Sequence, residues 1–342
     1  MTRNRDVANV ESNGVSAVPP FAAGKNVVIN GAMQIWQRGT SITGANTYAY
    51  TADRWAYRDT NGTPQAVSQV TSSLPTGFNY GIKMGRANGA TGTSAQILQQ
   101  PFETVNSIGY AGQTITLSFY AKKGANYSPT TLSVLVYSGT GTDQAVIGTT
   151  GGAAVWTGAA NPINSSISAG TLTTSWVRYT FTGTVAAGAT QLAIWLQQTG
   201  VGTAGADDYI YITGVQLEAG SVATPFTTAT GTIAGELAAC QRYYQTYGTS
   251  DFYGSMYTSG YPYFVKNLPV AMRVAPSLTL PSTMSQATLE VIGGSSYTPA
   301  SLTSWNLTIT SISFLANNVG GGTQYAPVRY TGTASIQASS EL

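Results

Sequence analysis

Apolar and polar residues alternate along most of this chain in short runs separated by Gly, Ser, Thr, Asn and Pro clusters. The clearest runs are 114–120, 132–137, 176–181, 191–196 and 209–215, each rich in β-branched or aromatic residues. Successive side chains of a strand point to opposite faces, so this alternation builds one apolar face and one polar face. Many short strands with turn punctuation predict a sandwich, jelly roll or barrel. The pattern resumes at 261–265, 277–280, 305–315 and 325–330, which predicts a second, smaller C-terminal β domain.

Two stretches break the alternation. Between Gly231 and Tyr244 the residues tolerate helix, and Leu237, Cys240 and Tyr244 fall on one face at spacings of three and four. This is the one helix the sequence predicts, with Cys240 as a small buried hydrophobe. From Gln144 to Val177 there is no charged residue, and the stretch is expected to be a long loop exposing Trp156. The predicted organisation is an extended arm over 1–25, a jelly-roll domain over 26–226, a short helix and connector over 227–250, and a C-terminal β domain over 251–342. The fold class is all-β.

Composition narrows the chemistry. Of 342 residues, 8% are charged, with 15 Lys or Arg, 13 Asp or Glu and no His. That is about a third of the ~25% usual for soluble domains. Without His there is no Ser-His-Asp catalysis and no imidazole metal ligand. The single Cys closes no intramolecular disulfide and forms no thiolate zinc site. A net charge of +2 without a long basic run gives little electrostatic reason to bind nucleic acid. No apolar run approaches the ~20 residues of a membrane span, so no membrane insertion is expected. The polar first residues, Met1–Asp6, predict no signal peptide.

Three separated stretches carry a resemblance. They are Asn26–Thr40 with Tyr50–Trp55, then Tyr209–Phe226, then Gly235–Tyr244. In this order they resemble a widespread family of bacteriophage tail-fibre and related virion proteins, whose central domain is similar to the jelly-roll carbohydrate-binding modules found beside glycoside hydrolases. The resemblance implies a non-enzymatic virion component, commonly oligomeric and often a homotrimer. Its 1–25 arm, with Arg3 and Arg5, would dock on other virion proteins. Its jelly roll or C-terminal domain would contact host cell-surface glycans. A head fibre or capsid decoration protein has the same chemistry in another place. A polysaccharide depolymerase working with carboxylates alone is the rival of different class.

Candidate residues follow. A pyranose ring offers a patch of C–H groups that stacks on a flat aromatic face, which makes Trp195, Trp156 and Tyr57 candidates for sugar contact. Trp36 and Trp55 read instead as core residues with satisfied indole N–H groups. Trp195 lies opposite Leu192, Ile194 and Leu196 in its strand, facing either solvent or a shallow groove. The resemblance implies a possible structural calcium held by Asn30, Asp207 and Asp208, although Ala32, Met33 and Gln34 stand where the family carries an acidic residue. Asp53, beside Arg54, reads as an ion-paired fold residue. The aromatics from Tyr243 to Phe264 are core, subunit interface or receptor-binding tip, and Tyr257, Tyr261 and Tyr263 are the interface candidates.

Overall fold

The computed structural model describes residues 25–44, 48–59, 65–145, 156–248, 251–258, 260–317, 319 and 324–342. Arg3, Arg5 and the expected 1–25 arm therefore lie outside the described residues, apart from Lys25. The chain divides into two compact units, one ending at Glu236 and including Leu342, the other Leu237–Glu341.

The first unit is a sandwich of two antiparallel six-stranded sheets. One sheet holds, in spatial order, β1 (Ser41–Gly44), β4 (Gln65–Val70), β5 (Gly81–Arg86), β12 (Tyr209–Ala219), β7 (Thr114–Lys123) and β10 (Val177–Thr184). The other holds β2 (Tyr48–Tyr50), β3 (Ala56–Asp59), β6 (Ala95–Pro101), β11 (Gln191–Thr199), β8 (Thr131–Gly139) and β9 (Ala160–Ser168). Ile82, Leu117, Phe119, Ile210 and Ile212 on the first sheet and Leu98, Val134, Val136, Ile194 and Leu196 on the second are buried together. Every predicted run of this unit is a strand, because each carried the alternation that a one-sided sheet demands.

One expectation is overturned here. The charge-free stretch after Gln144 is no continuous loop, since β9 runs through it and pairs with β8. Within β9 the buried residues are Ile163 and Ile167, four apart, too sparse to read as alternation.

In the second unit a three-stranded sheet orders β13 (Tyr244–Tyr247), β22 (Ile336–Ser339) and β16 (Ser277–Thr279). A seven-stranded sheet orders β18 (Ser296–Tyr297), β17 (Leu289–Val291), β21 (Pro327–Tyr330), β14 (Tyr253–Thr258), β15 (Tyr261–Asn267), β20 (Ser311–Asn317) and β19 (Ser301–Ser304). Its core is aromatic: Phe264 stacks on Phe314 with centroids 4.9 Å apart, and Phe252 meets Phe314 edge-on at 5.1 Å.

The helix, α1, spans Ile233–Gln241, and a single helical turn covers Thr104–Ser107. Tyr244 opens β13 instead of continuing the helix, and Leu237 is exposed. The buried helical positions are Glu236 and Cys240, so the apolar face expected at 237, 240 and 244 is corrected. The run 305–315 also divides. Residues 305–310 connect β19 to β20 through a turn in which Thr308 N–H donates to the Ser311 carbonyl at 2.9 Å and Ser311 N–H to Thr308 Oγ1 at 2.9 Å.

Candidate functional site

The residues of the three motifs converge on one buried polar knot in the first unit. Asn26 spans the end of β12: its Oδ1 accepts from Leu217 N–H at 3.1 Å, and its Nδ2 donates to the Val215 and Thr227 carbonyls. Val215 N–H in turn reaches the Gly31 carbonyl at 2.9 Å. Asn30 adopts φ 56° and fastens its own turn, accepting from Gln34 and Ile35 N–H and donating to the Ile35 and Asp53 carbonyls. Trp55 Nε1 donates to the Asn30 carbonyl at 3.1 Å, and Trp36 Nε1 to that of Met33 at 2.6 Å. Asp53 is buried with Gln37 and Arg38 on its carboxylate. Glu236, 1% exposed, receives Asn30 N–H at 2.7 Å and both Thr230 N–H and Oγ1. The motif tryptophans and Asp53 are thus framework, and their co-occurrence has a mechanical cause.

The expected calcium ligands do not come together. Asn30 sits beside Val215, whereas Asp208 precedes the start of β12, about seven residues or roughly 20 Å away along an extended strand. Asp208 is fully buried against Arg86, with an Oδ2 to Nη2 distance of 2.8 Å and further bonds from Ser128 N–H and Oγ. Asp207 takes Ala125 N–H and the Tyr211 hydroxyl. Asn30's amide is spent on its own turn. These three residues do not fit one cation, and the same engagement removes Asp207 and Asp208 as a hydrolytic pair.

The sugar-contact candidates are corrected as well. Tyr57 is 1% exposed, points into the sandwich core and has no hydrogen-bond partner for its hydroxyl among the described residues. Burial, then the charge of Asp59, pushes its pKa well above the ordinary value. Trp195 does leave the core face, as its strand position required, but it is 1% exposed. It packs with Ile97, Ala193 and Trp156 and against Leu135 and Tyr137, with the Tyr137 ring 5.3 Å away. Trp156, expected exposed, is 6% exposed, its indole N–H fixed by the Gln144 and Ala145 carbonyls. Together they make a small second core outside the sheet.

Exposed aromatics gather elsewhere, on the second unit. In β14, β15 and β20 the residues Met256, Phe264 and Phe314 face the core, so the alternating positions face outward. Tyr253 pairs with Val265, and Tyr263 pairs with both Ser255 and Leu315. Tyr257 and Trp305 are each 64% exposed, and Tyr253, Tyr261 and Val265 are exposed beside them. Tyr257, Tyr263, Trp305 and Leu315 line a groove of about 240 Å³. Among the described residues no charged side chain lines it, and Ser301 and Thr303 hydroxyls lie across the adjoining strand, both bonded to the Asn317 amide. The aromatic segment therefore splits: Tyr243, Tyr244, Tyr247, Phe252, Met256 and Phe264 are buried, while Tyr257 and Tyr261 face solvent and Tyr263 is half-buried. In the sequence, Trp305 alternates with Leu307 and Ile309 in the manner of a strand, which masks its exposure.

No family model and no curated protein matches this chain. Solved structures resemble it over about half its length. A carbohydrate-binding module of the β-sandwich superfamily is 14% identical with a TM-score of 0.35, covering 51% of this chain and 62% of its own. A family 4 carbohydrate-binding module is 20% identical with a TM-score of 0.33, covering 56% of this chain and 100% of its own. A xylan-binding domain of family 22 is 14% identical with a TM-score of 0.31, covering 55% and 99%. At such identities and scores, function has to be argued from this chain's own side chains.

Proposed function

We propose that the chain is a non-catalytic attachment protein that binds neutral glycans through the Tyr257–Tyr263–Trp305 groove. The observation that carries this is the groove itself: two rings 64% exposed, a third half-buried, and no charge among the described lining residues. Large exposed apolar patches mark interaction sites. Flat faces flanked by hydroxyls and an amide match a sugar, which buries C–H groups on the rings and offers its hydroxyls to the rim. The volume falls below the ~300–1,000 Å³ of clefts for drug-sized ligands, which suits one ring or a chain end.

The motif resemblance supports placing this protein on a phage particle as a homotrimeric tail fibre. Its residues Asn30, Gly31, Asp53, Trp55 and Glu236 act as one connected framework. A glycan array with the full chain and its Trp305→Ala variant tests the binding. Binding to neutral saccharides that the variant loses supports the reading, and an array silent for the full chain overturns it. Light scattering on both proteins separates the alternative use of the same face. If Trp305→Ala converts an oligomer to a monomer without affecting glycans, the face is a subunit contact.

A further inference from the structure

A second groove lies on the first unit, on the outer face of the β4–β5–β12–β7 sheet. It measures about 360 Å³ and is lined by Gln69, Val70, Thr71, Ser72, Ser73, Lys83, Lys122 and Tyr211. The strand register builds it. Ser68 pairs with Lys83, Lys83 with Tyr211 and Tyr211 with Lys122, so one row crosses four strands on one face. Neighbouring strands are about 4.8 Å apart, which sets the two lysines roughly 10 Å from each other with the Tyr211 ring between them.

Both ammonium groups are held in place by aromatic rings rather than by carboxylates. Lys83 Nζ lies 4.6 Å from the Tyr209 ring centroid, and Lys122 Nζ lies 4.9 Å from Tyr211 and 5.3 Å from Trp176. Neither is among the ion pairs of the described residues, where Lys25, Arg38, Arg86, Lys266 and Arg329 each have an acid. The two acids nearby are already engaged: Asp207 by the Tyr211 hydroxyl at 2.7 Å and Ala125 N–H at 2.9 Å, and Asp208 by Arg86 at 2.8 Å. Trp176 Nε1 donates to the Ser73 carbonyl at 2.6 Å and so ties the 71–73 edge of the groove to the same cluster. The result is two cations pre-positioned on neighbouring aromatic rings, beside the Thr71, Ser72 and Ser73 edge of the groove.

We propose that this groove binds an acidic polysaccharide, with the acid groups on Lys83 and Lys122 and a sugar ring over Tyr211. A cation held over a ring keeps its charge available for an incoming anion, and the rotamer cost of ordering the lysine is already met. The hydroxyls of Thr71, Ser72 and Ser73 then serve the sugar. This site is separate from the Trp305 groove and does not depend on it.

The test is a binding titration of the full chain with polygalacturonate, dextran sulfate, neutral dextran and a DNA duplex, between 20 and 300 mM NaCl. Wild-type protein is expected to bind a polyanionic saccharide saturably, with affinity falling as salt rises. Lys83→Gln/Lys122→Gln is expected to weaken that binding at least tenfold, Lys122→Gln alone less, and Trp305→Ala not at all. Preference for polygalacturonate assigns a carboxylate, and preference for dextran sulfate a sulfate ester. Thermal unfolding confirms that each variant is folded. The proposal is overturned if neither polyanion binds, if the double variant binds as wild type does, or if DNA binds equally well.

Discussion

The main-chain N–H of Asn30 donates to a carboxylate oxygen of Glu236 at 2.7 Å, although 206 positions separate the two residues. One buried acid at the start of α1 thereby fixes the turn that opens the sandwich. Replacing Glu236 with Ala strands Asn30 N–H and Thr230 N–H together. A fully buried unpaired donor such as Asn30 N–H costs about 1–3 kcal/mol and the half-buried Thr230 N–H less, so a loss of roughly 2–4 kcal/mol is expected in denaturant unfolding. Glu236→Gln, which keeps an acceptor, is expected to lose less.

Gly31 lies where any side chain would meet the carbonyl oxygen of Val215, a backbone atom of a central strand. Gly31→Ala is therefore expected to destabilise the first unit by several kcal/mol or to prevent its folding. A variant as stable as wild type would show that this approach is not obligatory.

Arg86 binds more than Asp208. Its guanidinium also donates to the carbonyls of Gly92, Val201 and Gly202 and to Ser128 Oγ, all within 3.0 Å. Arg86→Leu leaves the Asp208 carboxylate buried without its cation, a change expected to cost about 3–5 kcal/mol. Chemical denaturation measures this directly.

Stability should be flat across neutral pH and fall at both extremes. Burial alone would raise the Glu218 carboxyl. The N–H and hydroxyl of Thr224, the Gln216 amide and the Lys25 ammonium outweigh it and hold the pKa below the ordinary 4.5. A depressed carboxyl pKa contributes stability fully above about pH 4.5 and loses it as pH falls through the folded value. Burial raises Tyr57, and Tyr330 is pushed up to about 12 from 10.0. The unfolded chain then releases phenolic protons first, so stability declines as pH rises through 10. With no His in the chain, the unfolding midpoint is expected to hold steady between pH 5 and 8. A sharp transition inside that window would contradict this.

The strands of the sandwich were legible because residues such as Ile115, Leu117 and Phe119 or Val134 and Val136 repeat at the spacing of a one-sided sheet. What escaped was set by partners far along the chain. Glu236 looks like a solvated helical residue, and only the Asn30 turn explains its burial. Trp195 was placed on the correct face, but the cover that Trp156 and Tyr137 provide is tertiary. Trp305 was hidden inside apparent alternation that Thr308 and Ser311 break with a hydroxyl-capped turn. The lysine row depends on register, since only pairing of β5, β12 and β7 brings Lys83, Tyr211 and Lys122 side by side.

Buried and exposed tryptophans should behave oppositely. Trp195→Phe is expected to lower stability while leaving any glycan affinity intact, because the ring is enclosed. Thermal unfolding paired with a binding assay checks both halves.

The central claim is that Trp305 and Tyr257 hold a neutral sugar, and the direct measurement is calorimetric titration of the strongest neutral ligand from the array into wild-type, Trp305→Ala and Tyr257→Ala protein. Losing one stacking ring is expected to weaken binding at least tenfold, about 1.4 kcal/mol, with unfolding unchanged. Full affinity retained in both variants would contradict the assignment of the groove.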